Sequence, residues 1–78
     1  MTDLYPAADQ RELLRQAAAA HTAASADVET FLRGLPDAPG PADITEYANL
    51  LSREERARGD RQAAADAAGL QLPSMKSE

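Results

Sequence analysis

Cysteine and tryptophan are absent from the 78 residues, and the aromatic side chains amount to Tyr5, Phe31 and Tyr47. Without thiols there is no disulfide framework to staple a small fold, no thiolate nucleophile and no thiolate metal site. Long apolar runs are also missing, and nothing approaches the roughly 20 consecutive apolar residues that cross a bilayer. The opening Met-Thr-Asp-Leu-Tyr-Pro has neither the basic region nor the apolar core of a secretory leader, so no membrane partner and a cytoplasmic location are expected. Basic charge is scarce. Seven arginines and Lys76 stand against thirteen acidic residues, a formal net charge of −5. Phosphate backbones need a net basic face, so direct binding to DNA or RNA is not expected. Arginine in place of lysine, with abundant alanine, is the composition of a GC-rich bacterial genome.

Large aliphatic side chains are few as well. Leu, Ile, Val and Phe together number twelve, about 15% of the chain and below the roughly 20% under which charged chains tend to be disordered. Alanine fills many of the remaining apolar positions. It has the highest helix propensity of any residue and buries little area, so the chain is strongly helical and weakly held together. A domain of this size buries only about 60% of its unfolded surface and usually needs a second source of stability.

The run from Asp9 to Leu35 organises the rest. Steps of three and four select Leu14, Ala17, His21, Ala24, Val28, Phe31 and Leu35, a seam that stays on one side of a helix. Asp9 and Glu12 near its start and Arg33 near its end agree with the helix dipole. The segment Gly-Leu-Pro-Asp-Ala-Pro-Gly-Pro, residues 34–41, holds three prolines and two glycines and forbids a continuous helix. Gly34 reads as a left-handed C-cap residue followed by Leu35 and Pro36. A second helix begins either with Pro41 at its first position or with Asp43 as N-cap and Glu46 three residues on. Its apolar opening of Ile44, Tyr47, Leu50 and Leu51 is expected to pack on Val28, Phe31 and Leu32. Gly59 is a candidate kink, and Gly69 is a second C-cap signal before Leu70, Leu72 and Pro73.

The expected fold is therefore all-α: an antiparallel two-helix hairpin, helix 1 about 6–33 and helix 2 about 42–68, completed as a four-helix bundle by dimerisation. Residues 1–5 are expected to be flexible, residues 6–69 to form the hairpin, and residues 70–78 to fray. Folding about residues 37 to 38 sets Val28 near Ala48 and His21 near Glu54 or Glu55, where a carboxylate would make the histidine sensitive to pH.

No Ser/His/Asp set, glycine-rich phosphate loop or paired carboxylates can be assembled, so no catalysis is expected. The familiar spacings of zinc sites are absent too, and neither a metal nor a cofactor is expected. Small residues admit a close helix, and two helices alone leave large side chains uncovered. Leu13, Ala17, Ala20, Ala24, Leu32 and Leu51 are accordingly the expected partner-binding residues of a small adaptor or regulator, with a second copy and a further unidentified protein as partners. An alternative is a ligand sensor. Glu54, Arg58, Gln62 and Asp66 recur every four residues, and a guanidinium, an amide and a carboxylate in line are suited to a nucleotide. Arg58-x-x-x-Gln62-x-x-x-Asp66 resembles part of the pattern of a helical-hairpin anti-sigma factor that binds cyclic di-GMP. The glutamate and serine that precede it in that pattern are Leu51 and Glu55 here, and the resemblance covers three positions only. A structural subunit of a larger assembly, such as a phage or secretion particle, is a further alternative.

Overall fold

The computed structural model describes residues 7–70 of the chain. The expected start at Pro6, the flexible segment 1–5 and the tail from residue 71, with Leu72 and Pro73, lie outside the described residues. Two helices account for nearly all of what is described: α1, Ala7–Arg33, and α2, Pro41–Ala67. They pack antiparallel, as expected. Near the elbow the Phe31 and Tyr47 rings stack, their centroids 5.9 Å apart and their planes 12° from parallel. Toward the open end Leu14 lies beside Ala65.

Alanine propensity and the unbroken heptad make α1. Leu14, Ala17, His21, Val28, Phe31 and Leu35 are half-buried and Ala24 is buried, so every seam position faces α2. The elbow then stops the helix in an unexpected way. Gly34 is not left-handed, since Gly69 is the only residue of positive φ among those described. Instead the Gly34 N–H is shared between the Thr30 and Phe31 carbonyls, and the Leu35 N–H reaches back to Leu32 at 3.3 Å. That tightened last turn satisfies the final carbonyls, and Pro36 holds Leu35 out of the helical region, so no left-handed residue is required.

The start of α2 settles between its two candidates in favour of Pro41. Gly40 is the extended N-cap residue, and its N–H donates to Asp43 Oδ2 at 2.9 Å. Asp43 thus serves from the third helical position and is not itself the cap; its charge also sits where the helix dipole favours it. The other end of α2 closes as a Schellman motif, with Gly69 at φ +87°. The Leu70 N–H bonds to the Ala65 carbonyl at 2.8 Å and the Gly69 N–H to Asp66 at 3.0 Å. The helix runs without a break through Gly59.

Packing departs from expectation on α2. Its seam runs Asp43, Tyr47, Leu50, Glu54, Ala57, Arg61, Ala64 and Ala68, again in steps of three and four, and all of these are buried or half-buried except Tyr47 and Arg61, which are exposed. Leu50 is the one large side chain buried among the described residues, at 6% exposure. Ile44 and Leu51, each one position past a seam residue, turn about 100° away from it and stay exposed, as does Leu32 on α1. Ala48, expected opposite Val28, is exposed too. The elbow core is therefore Val28, Phe31, Tyr47 and Leu50, a smaller cluster than the sequence promised. Burying a leucine contributes about 2 kcal/mol and an offset aromatic pair about 1 more. Such a core holds two helices only thinly.

Candidate functional site

The heptads divide the hairpin into two flanking faces. Leu32 on α1 and Ile44, Leu51, Arg58 and Ala65 on α2 occupy one flanking position of the heptad. Leu13, Ala20 and Asp27 on α1 and Arg53 and Asp60 on α2 occupy the other. In an antiparallel pair like positions share a side. One recess bears this out, lined by Ala20, Asp27, Arg53 and Asp60; a second, on the other side, is lined by Arg58 and Ala65 with the seam residue His21.

The first face carries most of the large exposed hydrophobic side chains among the described residues. Six large hydrophobic side chains among the described residues are exposed, from 37% for Tyr47 to 63% for Ile44, the others being Leu13, Leu32, Leu51 and Leu70. Leu32, Ile44, Tyr47 and Leu51 gather beside the elbow. Leu70 lies at the open end of the same face, where it and Leu14 help to line the recess. Leu13 alone belongs to the opposite face. Heptad steps explain the grouping, because residues 44 and 51 are seven apart and Leu32 follows Phe31, whose ring is already committed to Tyr47.

Of the expected partner-binding residues, Leu13, Ala20, Leu32 and Leu51 are exposed. Ala24 is buried and Ala17 half-buried, so the hairpin's own interface takes them up. Ile44, assigned to the core by sequence, is instead on the surface on the side of Leu32 and Leu51, and Tyr47, although its ring stacks on Phe31, is still 37% exposed. The signal that would have placed Ile44 outside is its offset of one from Asp43, which is invisible until the α2 seam is known.

The polar stripe is split. Arg58, Gln62 and Asp66 line one open recess of about 240 Å³ with Leu14, His21, Arg61, Ala65 and Leu70. Glu54 is not among its lining residues. It is half-buried and accepts a hydrogen bond from the Ser25 hydroxyl at 2.7 Å, the place expected for His21. Arg58 pairs with Glu55 at 2.5 Å instead of with Glu54. A hydrogen bond from Arg58 and its positive charge hold the Glu55 carboxyl below its ordinary range, with a smaller contribution from His21. Arg58 is raised in turn by the same pairing. The recess lining thus carries both signs of charge, Arg58 and Arg61 with Asp66.

On the opposite face Ala20, Ala23, Ala24 and Ala57 floor a shallow groove of about 330 Å³, with Asp27, Arg53, Arg56 and Asp60 at its edges. No group of three or more His, Cys, Asp or Glu among the described residues is placed to hold a metal ion. No helix among them is long and apolar enough to cross a membrane. No family model matches the chain, and neither a curated protein nor a solved structure is significantly similar to it.

Proposed function

We propose that this chain is a non-enzymatic protein–protein interaction module, a small adaptor or regulator that works through one face of a helical hairpin. One observation carries the reading: among the described residues a single large hydrophobic side chain, Leu50, is buried, while six are exposed. Isolated exposed leucines are ordinary, but four large apolar groups side by side on a two-helix protein mark a surface that another protein covers.

The test is photo-crosslinking of the full chain in native extract. A photo-reactive side chain at Leu51 gives adducts with protein, and the same group at Arg53 on the opposite face gives few. No adducts from Leu51, or equal adducts from both positions, would sink the reading.

A further inference from the structure

We infer that the occupant of the elbow-side apolar face is a second copy of this chain, docked so that Leu32 of each copy lies between Ile44 and Leu51 of the other. The inference rests on the interaction-module reading above and names the partner and the register.

The hairpin's own register supplies the argument. Phe31 stacks on Tyr47, so Leu32, the next residue, stands within about 1.5 Å of the height of Tyr47 along the hairpin. On α2, Ile44 and Leu51 lie about 4.5 Å and 6 Å to either side of that height, at a rise of 1.5 Å per residue. One face thus bears both a protruding side chain and, on the neighbouring helix, a gap at the same level with Tyr47 at its edge. A two-fold axis running along the hairpin between facing copies lays α1 of one over α2 of the other, antiparallel and at equal height. Knob and gap then meet twice, which is the self-complementarity that a two-fold interface requires. The result is a four-helix bundle whose added core is Leu32, Ile44, Tyr47 and Leu51 from each copy.

Charge favours the same occupant. Each copy carries −5, which would oppose association if the excess lay on this face. It does not: of the carboxylates flanking it, Glu55 is paired with Arg58 and Glu29 with Arg33. A near-neutral apolar face suits its own copy and offers nothing to a strongly basic partner.

The experiment uses the full chain in two forms, Leu32→Cys and Leu51→Cys, each carrying one cysteine in a protein that has none. On mixing and oxidation the mixed disulfide dimer exceeds either homodimer, because only the 32–51 pair is brought together. In parallel, sedimentation equilibrium of Leu32→Glu shows self-association weakened by about 30-fold or more, the loss of one central contact residue. Leu13→Glu, on the opposite face, leaves it within about threefold, as for a residue outside the contact. Self-association that is equally sensitive to both glutamates, with no excess of the mixed disulfide, overturns this face and register and leaves the interaction-module reading standing. A folded monomer at every concentration, with adducts from Leu51 to some other protein, overturns the second copy as occupant. Absence of any adduct removes the module reading itself.

Discussion

The Ser25 hydroxyl donates to Glu54 Oε2 across 2.7 Å, the one side-chain hydrogen bond among the described residues that joins the two helices. With the Phe31–Tyr47 stack it fixes how far α2 is slid along α1. Both groups are half-buried, so Glu54 keeps part of its hydration if the hydroxyl is lost. Ser25→Ala is expected to destabilise the hairpin by about 1 kcal/mol. That corresponds to a fall in melting temperature of about 4–8 °C for a domain of this size, read by circular dichroism. An unchanged melting temperature would show that the bond adds nothing to the register.

Leu50 is the residue on which the helix pair most depends. Truncation of a buried leucine costs about 2–5 kcal/mol, a large part of what so small a domain has to spare. Leu50→Ala should therefore abolish cooperative thermal unfolding or come close to it. Ile44→Ala, at an exposed position, should be nearly neutral at concentrations where the chain is monomeric and destabilising where copies associate. Equal effects of the two substitutions at low concentration would contradict the burial pattern.

Two glycines in α2 and its cap respond in opposite directions. A Cβ at Gly59 meets nothing within 4 Å, so Gly59→Ala should stabilise the hairpin by about 1 kcal/mol through helix propensity. A Cβ at Gly69 also has room, but the backbone there is at φ +87°. Gly69→Ala should accordingly cost about 1–2 kcal/mol from the left-handed conformation alone. Urea titrations of the two variants check the sign of each.

Acid should loosen the helices through two surface carboxylates. Side-chain hydrogen bonds from Arg15 first and Gln16 second hold Glu12 below 4.5, and Arg58 does the same for Glu55. A carboxyl whose pKa is lowered on folding contributes stability that is fully present above its unfolded value of about 4.5. That contribution is lost as the pH falls through the lower folded values. Helicity followed by circular dichroism during acid titration should decline below that point, and less so in Glu12→Gln/Glu55→Gln. Both pairs are exposed, so added salt should shrink the difference. Identical acid profiles for the two proteins would refute the assignment.

The heptad of alanines and the proline-rich elbow made the first helix, its inward seam and the hairpin legible from sequence. Periodicity survived translation into structure on α1, where the steps of three and four picked out only buried and half-buried positions. It failed at Ile44 and Leu51, each one position past a seam residue, while Leu50 is buried and Tyr47 stacks on Phe31 as expected. Composition likewise could not tell whether Arg58 pairs with Glu54 or Glu55, since both lie within one turn of it. The left-handed glycine was correctly read at Gly69 and wrongly at Gly34. At Gly69 the Leu70 N–H turns back to Ala65, whereas at Gly34 the following Pro36 imposes an extended exit.

What the chain's residues determine alone is local: where each helix starts and stops, which side of α1 faces inward, and that two rods meet at a stiff corner. These follow from backbone stereochemistry and side-chain size, which act within a few residues. Which leucines are hidden and which are offered outward depended on how α2 slides and rotates against α1. That choice rests on the stacking of Phe31 with Tyr47 and the contact between Ser25 and Glu54, interactions between residues far apart in sequence, and only the packed pair of helices could decide it.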